Sequence, residues 1–293
     1  MPRSHFISTP ANFSFRHTIQ SHGWYDLAPF VIDEKDLSLS YVFSGAIGDR
    51  PFRARISETK EGLKVEYSAA KVNKRRLEQA VKHILRLDDD LEPFYETIGA
   101  EAGLNWVRNS RAGRLLRSPT VFEDLIKTIC TTNCSWALTK KMTANLVERL
   151  GRPADSGEKA FPTAEAMAGV PADFYRDEIR AGYRSPYFVE LTQAVASGEL
   201  DPEGWLHSEL PTRELKKEMK KVKGVGDYAA ENLLKLVGRY DGLALDSWLR
   251  SEFYKKHNKE KVCSDKKIEK HYKKFGDWKG LAIWCDMTER WFA

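Results

Sequence analysis

The spacing of apolar residues changes once along this chain, near Asn73. Before that point apolar and polar residues alternate with a period of two, which is typical of strands with one buried face. The alternating segments are LSLSYVF (37–43), FRARIS (52–57) and LKVEY (63–67). Beyond Asn73 the spacing is helical, and the predicted helices include 91–108, 164–181, 226–238 and 278–291. The pattern predicts an α+β protein with an N-terminal antiparallel sheet and a larger all-helical region.

Composition is that of a globular protein. Of the 293 residues, 42% are hydrophobic and 30% are charged. No run approaches the roughly 18 apolar residues of a membrane span, and the segment MPRSHFISTP lacks the apolar core of a signal peptide. We therefore expect an intracellular protein, in the cytoplasm or nucleoid if the source is prokaryotic. Neither a CxxC pair nor an HExxH motif is present, which argues against disulfides and transition-metal sites.

Positive charge is concentrated in the C-terminal part of the chain. The whole chain has a net charge of +5, whereas residues 212–280 contain 19 Lys or Arg against 11 Asp or Glu. A basic segment of this kind is either a solvated surface or a nucleic-acid contact. Charge alone leaves both interpretations open.

Two helical segments flank a short glycine-containing turn in this basic region. They are TRELKKEMKKV (212–222) and DYAAENLLKLVG (227–238), and the turn contains Gly224 and Gly226. Glycines allow close backbone approach, and the free N–H groups that open the second helix can bind a phosphate. An ordinary helix–helix turn with a glycine C-cap is the alternative. The lysines on or beside the turn are Lys217, Lys220, Lys221 and Lys223.

Asp246 stands out in the segment LALDSWLR (243–250). It follows an apolar run, directly precedes a predicted helix and lies eighteen residues beyond Tyr228. A carboxylate in such a position usually caps the helix, which is worth about 1 kcal/mol.

The order of hairpin, helix and aspartate resembles the helix-hairpin-helix Gly/Pro-Asp (HhH-GPD) superfamily of DNA base-excision glycosylases. Residues 113–151 and 180–201 are similar to that family's helical segments before the hairpin, and the N-terminal sheet is similar to the extra domain of its alkyl-purine and 8-oxoguanine branches. The resemblance implies a DNA cleft between two helical subdomains. The implied divisions are a β domain over 1–75, a helical region over 76–293, and subdomains 120–233 and 76–119 plus 234–293.

The resemblance also implies catalytic roles. Asp246 matches the family's catalytic carboxylate, which stabilises an oxocarbenium ion and orients a water, with a pure helix cap as the alternative. Tyr228 occupies the place of the lysine that gives bifunctional members their lyase activity, so we expect a monofunctional enzyme. Asn133, in TTNCSW (131–136), matches the residue that fills the gap left by the flipped base, with helix capping as the alternative.

Tyr228 and Trp284 match two aromatic residues that sandwich the base in alkyl-purine glycosylases. Stacking on a cationic base adds about 0.5–2 kcal/mol, and core packing is the alternative for Trp284. The resemblance therefore implies a DNA-3-methyladenine glycosylase II-like enzyme acting on 3-methyladenine or 7-methylguanine. The alternatives are 8-oxoguanine or deaminated purines as substrates, or a non-catalytic DNA-binding module. Four further aromatic residues are weaker candidates for stacking on the base and are predicted to lie in the core. They are Trp24, Trp136, Tyr183 and Tyr187.

The expected partner is double-stranded DNA that contains a damaged base, bound by a monomer with no membrane association. DNA phosphates would contact Gly224, Gly226, Lys221 and Lys223. The resemblance further implies a monovalent cation, Na⁺ or K⁺, held by the main-chain carbonyls of Lys220, Val222 and Val225. No other cofactor is required by this prediction.

Overall fold

The N-terminal part of the protein is a five-stranded antiparallel sheet. The computed structural model describes residues 3–99 and 101–292. The strands are β1 (Arg3–Ile7), β2 (Val31–Asp33), β3 (Ser38–Phe43), β4 (Phe52–Thr59) and β5 (Gly62–Tyr67), in the order β1-β5-β4-β3-β2. All four neighbouring pairs are antiparallel. The predicted α+β fold class is confirmed.

Sequence reasoning found β3, β4 and β5 but missed the two edge strands. β2 has only three residues, and β1 is a mostly exposed RSHFI segment without clear alternation. The expectation of one buried face is wrong for β3, whose residues are all buried. On its second face, Val42 packs with Ala154 and Ala160 of the helical region. Ser38 and Ser40 on the same face accept hydrogen bonds from Arg55 and Arg53 of β4.

The remainder of the described chain is mainly helical. The α-helices are α1 (Phe15–Ile19), α2 (Lys74–Leu85), α3 (Glu92–Ile98), α4 (Asn105–Asn109), α5 (Val121–Thr131), α6 (Trp136–Leu150), α7 (Ala164–Ala168), α8 (Ala172–Phe174), α9 (Ser185–Ala196), α10 (Thr212–Met219), α11 (Asp227–Leu236), α12 (Ser247–His257), α13 (Asp265–Tyr272) and α14 (Lys279–Thr288). The 3₁₀ turns are Gly23–Asp26, Ala102–Leu104, Gly182–Arg184, Glu203–His207, Lys273–Trp278 and Glu289–Trp291, and Tyr175–Ile179 is a π turn. Among the described residues, no helix combines the length and apolarity needed to cross a bilayer.

Two predicted helices are broken in the structure. The helix predicted over 91–108 ends at Gly99, whose φ of +49° lies in the left-handed region and stops helical hydrogen bonding. The helix predicted over 164–181 is interrupted after α7, because Gly169 ends it and Pro171 cannot supply an N–H for its continuation. The spacing of apolar residues stays helical across both breaks, so the sequence pattern predicted two continuous helices.

Buried apolar residues form three main cores. One lies beneath the sheet and extends into α2, with Leu116 and Leu236 added from the helical region. A second joins α5, α6, α9, α10 and α11. A third joins α3 and α4 to α12, α13 and α14. The division into a β domain and two helical subdomains stays a proposal.

The C-terminal end of α11 is fixed by a buried arginine from α2's C-cap. Arg86 donates from Nη1 to the carbonyl oxygens of Lys235 and Leu236, at 3.0 and 3.2 Å, and pairs with Asp89. Free carbonyls at a helix C-terminus carry partial negative charge. The buried guanidinium of Arg86 donates to these carbonyls, so the hydrogen bonds serve both the helix end and the arginine. This contact holds α11 against the sheet-bearing part of the chain.

Candidate active site

Helices α10 and α11, with the short turn between them, form the predicted helix-hairpin-helix. Val222 N–H donates to Met219 and Val225 N–H donates to Val222, both within 3.2 Å, which tightens the turn. Gly224 has a φ of +91°, and a Cβ added there would lie 3.0 Å from the ring of Tyr187. Gly224 is therefore required by both backbone conformation and close packing.

Gly226 has a different role at the N-terminus of α11. Its φ of −85° is accessible to any residue, and a Cβ there would meet no atom within 4 Å. Gly226 has no side chain to cap the helix, and within residues 3–99 and 101–292 no acceptor is found for the first N–H groups of α11. These N–H groups at the positive end of a helix suit an anion.

The hairpin lysines are paired with carboxylates in the free protein. Lys221 binds Glu218 and Lys223 binds Glu190, both at 2.6 Å. Lys220 binds Asp227 at 2.9 Å. Such exposed pairs contribute about 0–1 kcal/mol each, so a phosphate could replace the carboxylates at little cost.

The three carbonyls predicted to hold a cation lie in this same turn. The Val222 oxygen accepts the Val225 N–H, while those of Lys220 and Val225 accept no hydrogen bond found in the described part of the chain. Neutral carbonyl oxygens are the ligands that hard cations prefer, so the donor set fits Na⁺ or K⁺.

Asp246 is the N-cap of α12. Its Oδ1 accepts the Leu249 N–H at 2.7 Å and its main-chain oxygen accepts the Arg250 N–H at 3.1 Å. The carboxylate is half-buried beside Tyr228 of α11. Burial, and then the neighbouring Asp246 carboxylate, raise the pKa of Tyr228 to about 12. Asp246 therefore both caps a helix and stands as a carboxylate next to the hairpin helix.

The loop before Asp246 is fixed from two sides. Glu231 of α11 accepts from Lys216 at 2.6 Å and from the Ala244 N–H at 2.5 Å. On the other side, Gly280 N–H of α14 donates to the Tyr240 carbonyl at 2.7 Å. A Cβ at Gly280 would clash with the carbonyl oxygen of Gly242. The carboxylate position thus depends on α11 and α14 together.

One face of α11 presents residues to two cavities. A cavity of about 290 Å³ is lined by Tyr228 and Glu231. A smaller one of about 40 Å³ is lined by His22, Trp24, Leu115, Asn232, Lys235, Leu236 and Trp284. Tyr228 and Trp284, which were predicted to sandwich a base, line different cavities.

Trp284 lies next to Lys235, a contact that the sequence did not predict. Its Nε1 donates to the Ser21 carbonyl at 2.9 Å, and Lys235 Nζ lies 5.7 Å from the centre of its ring. Lys235 is 3% exposed and donates to the Leu243 carbonyl at 3.1 Å. Burial lowers the pKa of Lys235 to about 8. An ammonium group therefore already faces the tryptophan.

Asn133 lies at the exposed turn between α5 and α6, with a φ of +47°. The capping alternative is wrong, because Ser135 is the residue that accepts from the Leu138 N–H at the start of α6. Asn133 Nδ2 lies 3.5 Å from the hydroxyl of Tyr183. Tyr183 and Trp136, predicted to be core residues, are 51% and 38% exposed. Three side chains therefore project around this turn.

Comparison with known proteins finds one curated relative. The chain is 28% identical over 207 residues to a probable N-glycosylase/DNA lyase of Methanothermobacter thermautotrophicus. The alignment covers 61% of this chain and 64% of that relative, so it spans less than two thirds of the relative's length. The comparison with protein families finds no match.

Two solved structures resemble nearly the whole chain. The 8-oxoguanine glycosylase/lyase of Clostridium acetobutylicum, in complex with DNA, has a TM-score of 0.73 at 21% identity and covers 96% of this chain and 93% of its own. The 3-methyladenine DNA glycosylase of Archaeoglobus fulgidus has a TM-score of 0.75 at 18% identity and covers 99% of both chains. The chain has the fold of these two DNA glycosylases. The predicted resemblance is confirmed.

A second polar cluster, which the sequence did not reveal, lies among α12, α13 and α14. Buried Asp286 of α14 accepts from His257 of α12 at 2.6 Å and from the hydroxyl of Tyr272, and pairs with Lys256 at 2.8 Å. The His271 ring lies beside that of His257, tilted by 39° and with ring centres 4.5 Å apart. The negative charge of Asp286 is balanced by the ammonium group of Lys256. Because His257 and Lys256 belong to α12 and Asp286 to α14, these contacts hold the end of α12 against α14.

Gly280→Ala should impair this fold at the Asp246 loop. The new methyl group would clash with the Gly242 carbonyl and lie 2.6 Å from that of Tyr240, so the loop must shift. We expect a loss of about 1–3 kcal/mol in the free energy of unfolding, measured by urea denaturation. Gly169→Ala is the control, because its methyl group would make ordinary contacts at 3.7 Å. Equal stability of both variants would contradict the proposed packing.

Proposed function

We propose that this protein is a DNA glycosylase that hydrolyses the N-glycosidic bond of a damaged purine in duplex DNA. The observation that carries the proposal is the position of Asp246, a half-buried carboxylate at the N-terminus of α12 beside the hairpin helix. The names of a sequence relative and of two solved structures with the same fold support it. A non-catalytic DNA-binding module would need Asp246 only as the cap of α12.

Asp246 would act on the sugar of a nucleotide that has left the stack. Cleavage of the C1′–N bond places positive charge on the sugar, and a fixed carboxylate stabilises that charge. The same group can orient a water for attack at C1′ or accept its proton. Because the Leu249 N–H already holds Oδ1, the orientation of the carboxylate is set before substrate binds.

The hairpin would hold the DNA backbone. Open N–H groups at Gly226, together with Lys221 and Lys223, provide donors and positive charge for phosphates. A cation on the carbonyls of the turn would supply further positive charge next to a phosphate. Asn133 and the exposed Tyr183 beside it would occupy the space that a flipped nucleotide leaves.

We further propose that the enzyme is monofunctional. The place of the family's nucleophilic lysine is taken by Tyr228, whose raised pKa keeps its hydroxyl neutral. Borohydride should therefore trap no protein–DNA adduct during excision, and strand breaks should appear only after alkali. A trapped adduct that persists in Lys235→Met would show that another amine attacks C1′, and one lost in that variant would identify Lys235 as the nucleophile.

The substrate is proposed to be a damaged purine. The sequence prediction of a cationic alkylated purine agrees with the name of the Archaeoglobus relative, and 8-oxoguanine agrees with that of the Clostridium relative. The test is a panel of duplexes, each with one lesion, incubated with the protein and treated with alkali. Alkali-labile sites at one or more lesions support the proposal, and their absence at every damaged purine contradicts it.

A further inference from the structure

We propose that Lys235 is a specificity-determining residue of the base pocket. Its ammonium group would donate to an acceptor, such as a carbonyl oxygen, of a neutral damaged purine and would disfavour a purine made cationic by alkylation. This inference rests on the proposed glycosylase function and replaces the substrate predicted from sequence.

The position of Lys235 is the first argument. It lies seven residues beyond Tyr228, two turns along the same face of α11. Its side chain lines the small cavity with Asn232 and Trp284, and the negative charge of Asp246 is close enough to raise its pKa in part. A base extruded toward Asp246 would approach this cavity.

The hydrogen-bonding capacity of Lys235 is the second argument. An ammonium group has three N–H donors. In the described ranges, the Leu243 carbonyl is the one acceptor found for Nζ. A buried group with unused donors is unfavourable unless a ligand or water satisfies them. A purine carbonyl oxygen or ring nitrogen would supply that acceptor.

The cation over Trp284 is the third argument. The sequence prediction needed a free tryptophan face to attract a positively charged base. Here Lys235 Nζ lies 5.7 Å from the ring centre, so a cationic base on that ring would meet a like charge in a buried site. A neutral purine would stack without this repulsion.

Other polar groups of the cavity also suit a neutral base. Burial lowers the pKa of His22 to about 4, so its ring is neutral at pH 7. Because its Nε2 donates to the Leu116 carbonyl at 2.7 Å, Nδ1 remains an acceptor. Asn232 donates from Nδ2 to the Tyr228 carbonyl, which leaves its Oδ1 as an acceptor. A purine with both donor and acceptor groups would match these partners.

The cavity must widen to admit a purine. Its volume of about 40 Å³ is far below the several hundred Å³ of typical ligand pockets. Half-buried Asn232 and Trp284 are its lining residues with solvent access. Entry of a base therefore requires movement there, while buried Lys235 remains at the floor.

Lys235→Met tests the proposal, because methionine keeps an unbranched side chain and removes the charge. Single-turnover excision is measured at slightly acid pH on one duplex carrying 8-oxoguanine, hypoxanthine or 7-methylguanine. We expect the parent to prefer a neutral base, and the variant to lose about tenfold or more on it. Excision of 7-methylguanine should stay level or rise. Lys235→Gln, which keeps a neutral donor, should lie between parent and Lys235→Met on the neutral base.

Three results would overturn the proposal. Equal losses on neutral and cationic bases would mean that Lys235 only ties the Leu243 loop in place. Faster excision of 7-methylguanine than of either neutral base by the parent would restore the sequence prediction. Absence of excision by the parent at every lesion would contradict the glycosylase function itself. This result comes from the parent alone, so it is distinguished from a failure of the Lys235 proposal, which is measured in the variants.

The pH profile gives a second readout. Lys235 is charged below its pKa of about 8 and neutral above it. The groups that raise its pKa are Glu231 on its own helix, Asp246 and Cys285 of α14, and neutral His22 lines the same cavity. The ratio of parent to Lys235→Gln rates on a neutral base should therefore fall as pH rises through about 8. A ratio that does not change with pH would contradict the role of the charge.

Discussion

Asp246→Asn should bind lesion DNA about as well as the parent while excising the base about 10²-fold more slowly or worse. Asparagine caps a helix as well as aspartate does, so α12 should still begin at residue 246. The substitution removes the negative charge that stabilises the oxocarbenium ion and accepts a proton from water. Single-turnover excision and equilibrium binding on one duplex measure both quantities.

Asp277→Asn is the matched control for this experiment. Asp277 is an exposed carboxylate in the turn before α14, so the same change of charge there should leave the excision rate unchanged. Rates equal to the parent's in Asp246→Asn would reduce Asp246 to a helix cap. Loss of binding together with rate would indicate that the variant damages the fold.

Gly226→Glu should weaken binding to duplex DNA of any sequence by about tenfold or more. The site has room for a side chain, since a Cβ there would meet no atom within 4 Å. A carboxylate at the N-terminus of α11 would occupy the N–H groups and repel the phosphate that they are proposed to bind. The slope of log affinity against log salt should become less steep by about 0.9 for each phosphate that the variant no longer neutralises.

Gly226→Gln separates charge from size. It should bind nearly as well as the parent, because glutamine adds the same bulk without the charge. Equal weakening in both variants would point to a steric effect, and parent-like affinity and salt slope in Gly226→Glu would exclude this helix end as a phosphate site. Lys221→Ala and Lys223→Ala should each reduce the salt slope, since their carboxylate partners are weak competitors.

The parts of the site that are local in sequence were predictable. Gly224 and Gly226 lie between two periodic helices, and Asp246 directly precedes a third, so spacing alone placed them. The structure adds that only Gly224 needs glycine for its backbone, with a φ of +91°. Gly226 is instead explained by the open helix end.

The parts that depend on long-range contacts were not predictable. Ser21 meets Trp284 across 263 residues, and Lys235 lies buried next to that tryptophan, which no periodicity could indicate. A lysine on a helix is normally expected in solvent. Tyr183 and Trp136 were assigned to the core because aromatic residues are usually buried, but both lie exposed near Asn133.

Detection of the released base tests the central account most directly. The protein is incubated with duplexes that each carry one damaged purine, and free base is measured by mass spectrometry alongside strand breaks before and after alkali. We predict that free base appears mole for mole with alkali-labile sites, without breaks before alkali, and that Asp246→Asn releases almost none. Binding of every lesion duplex by the parent without release of any base would contradict the account.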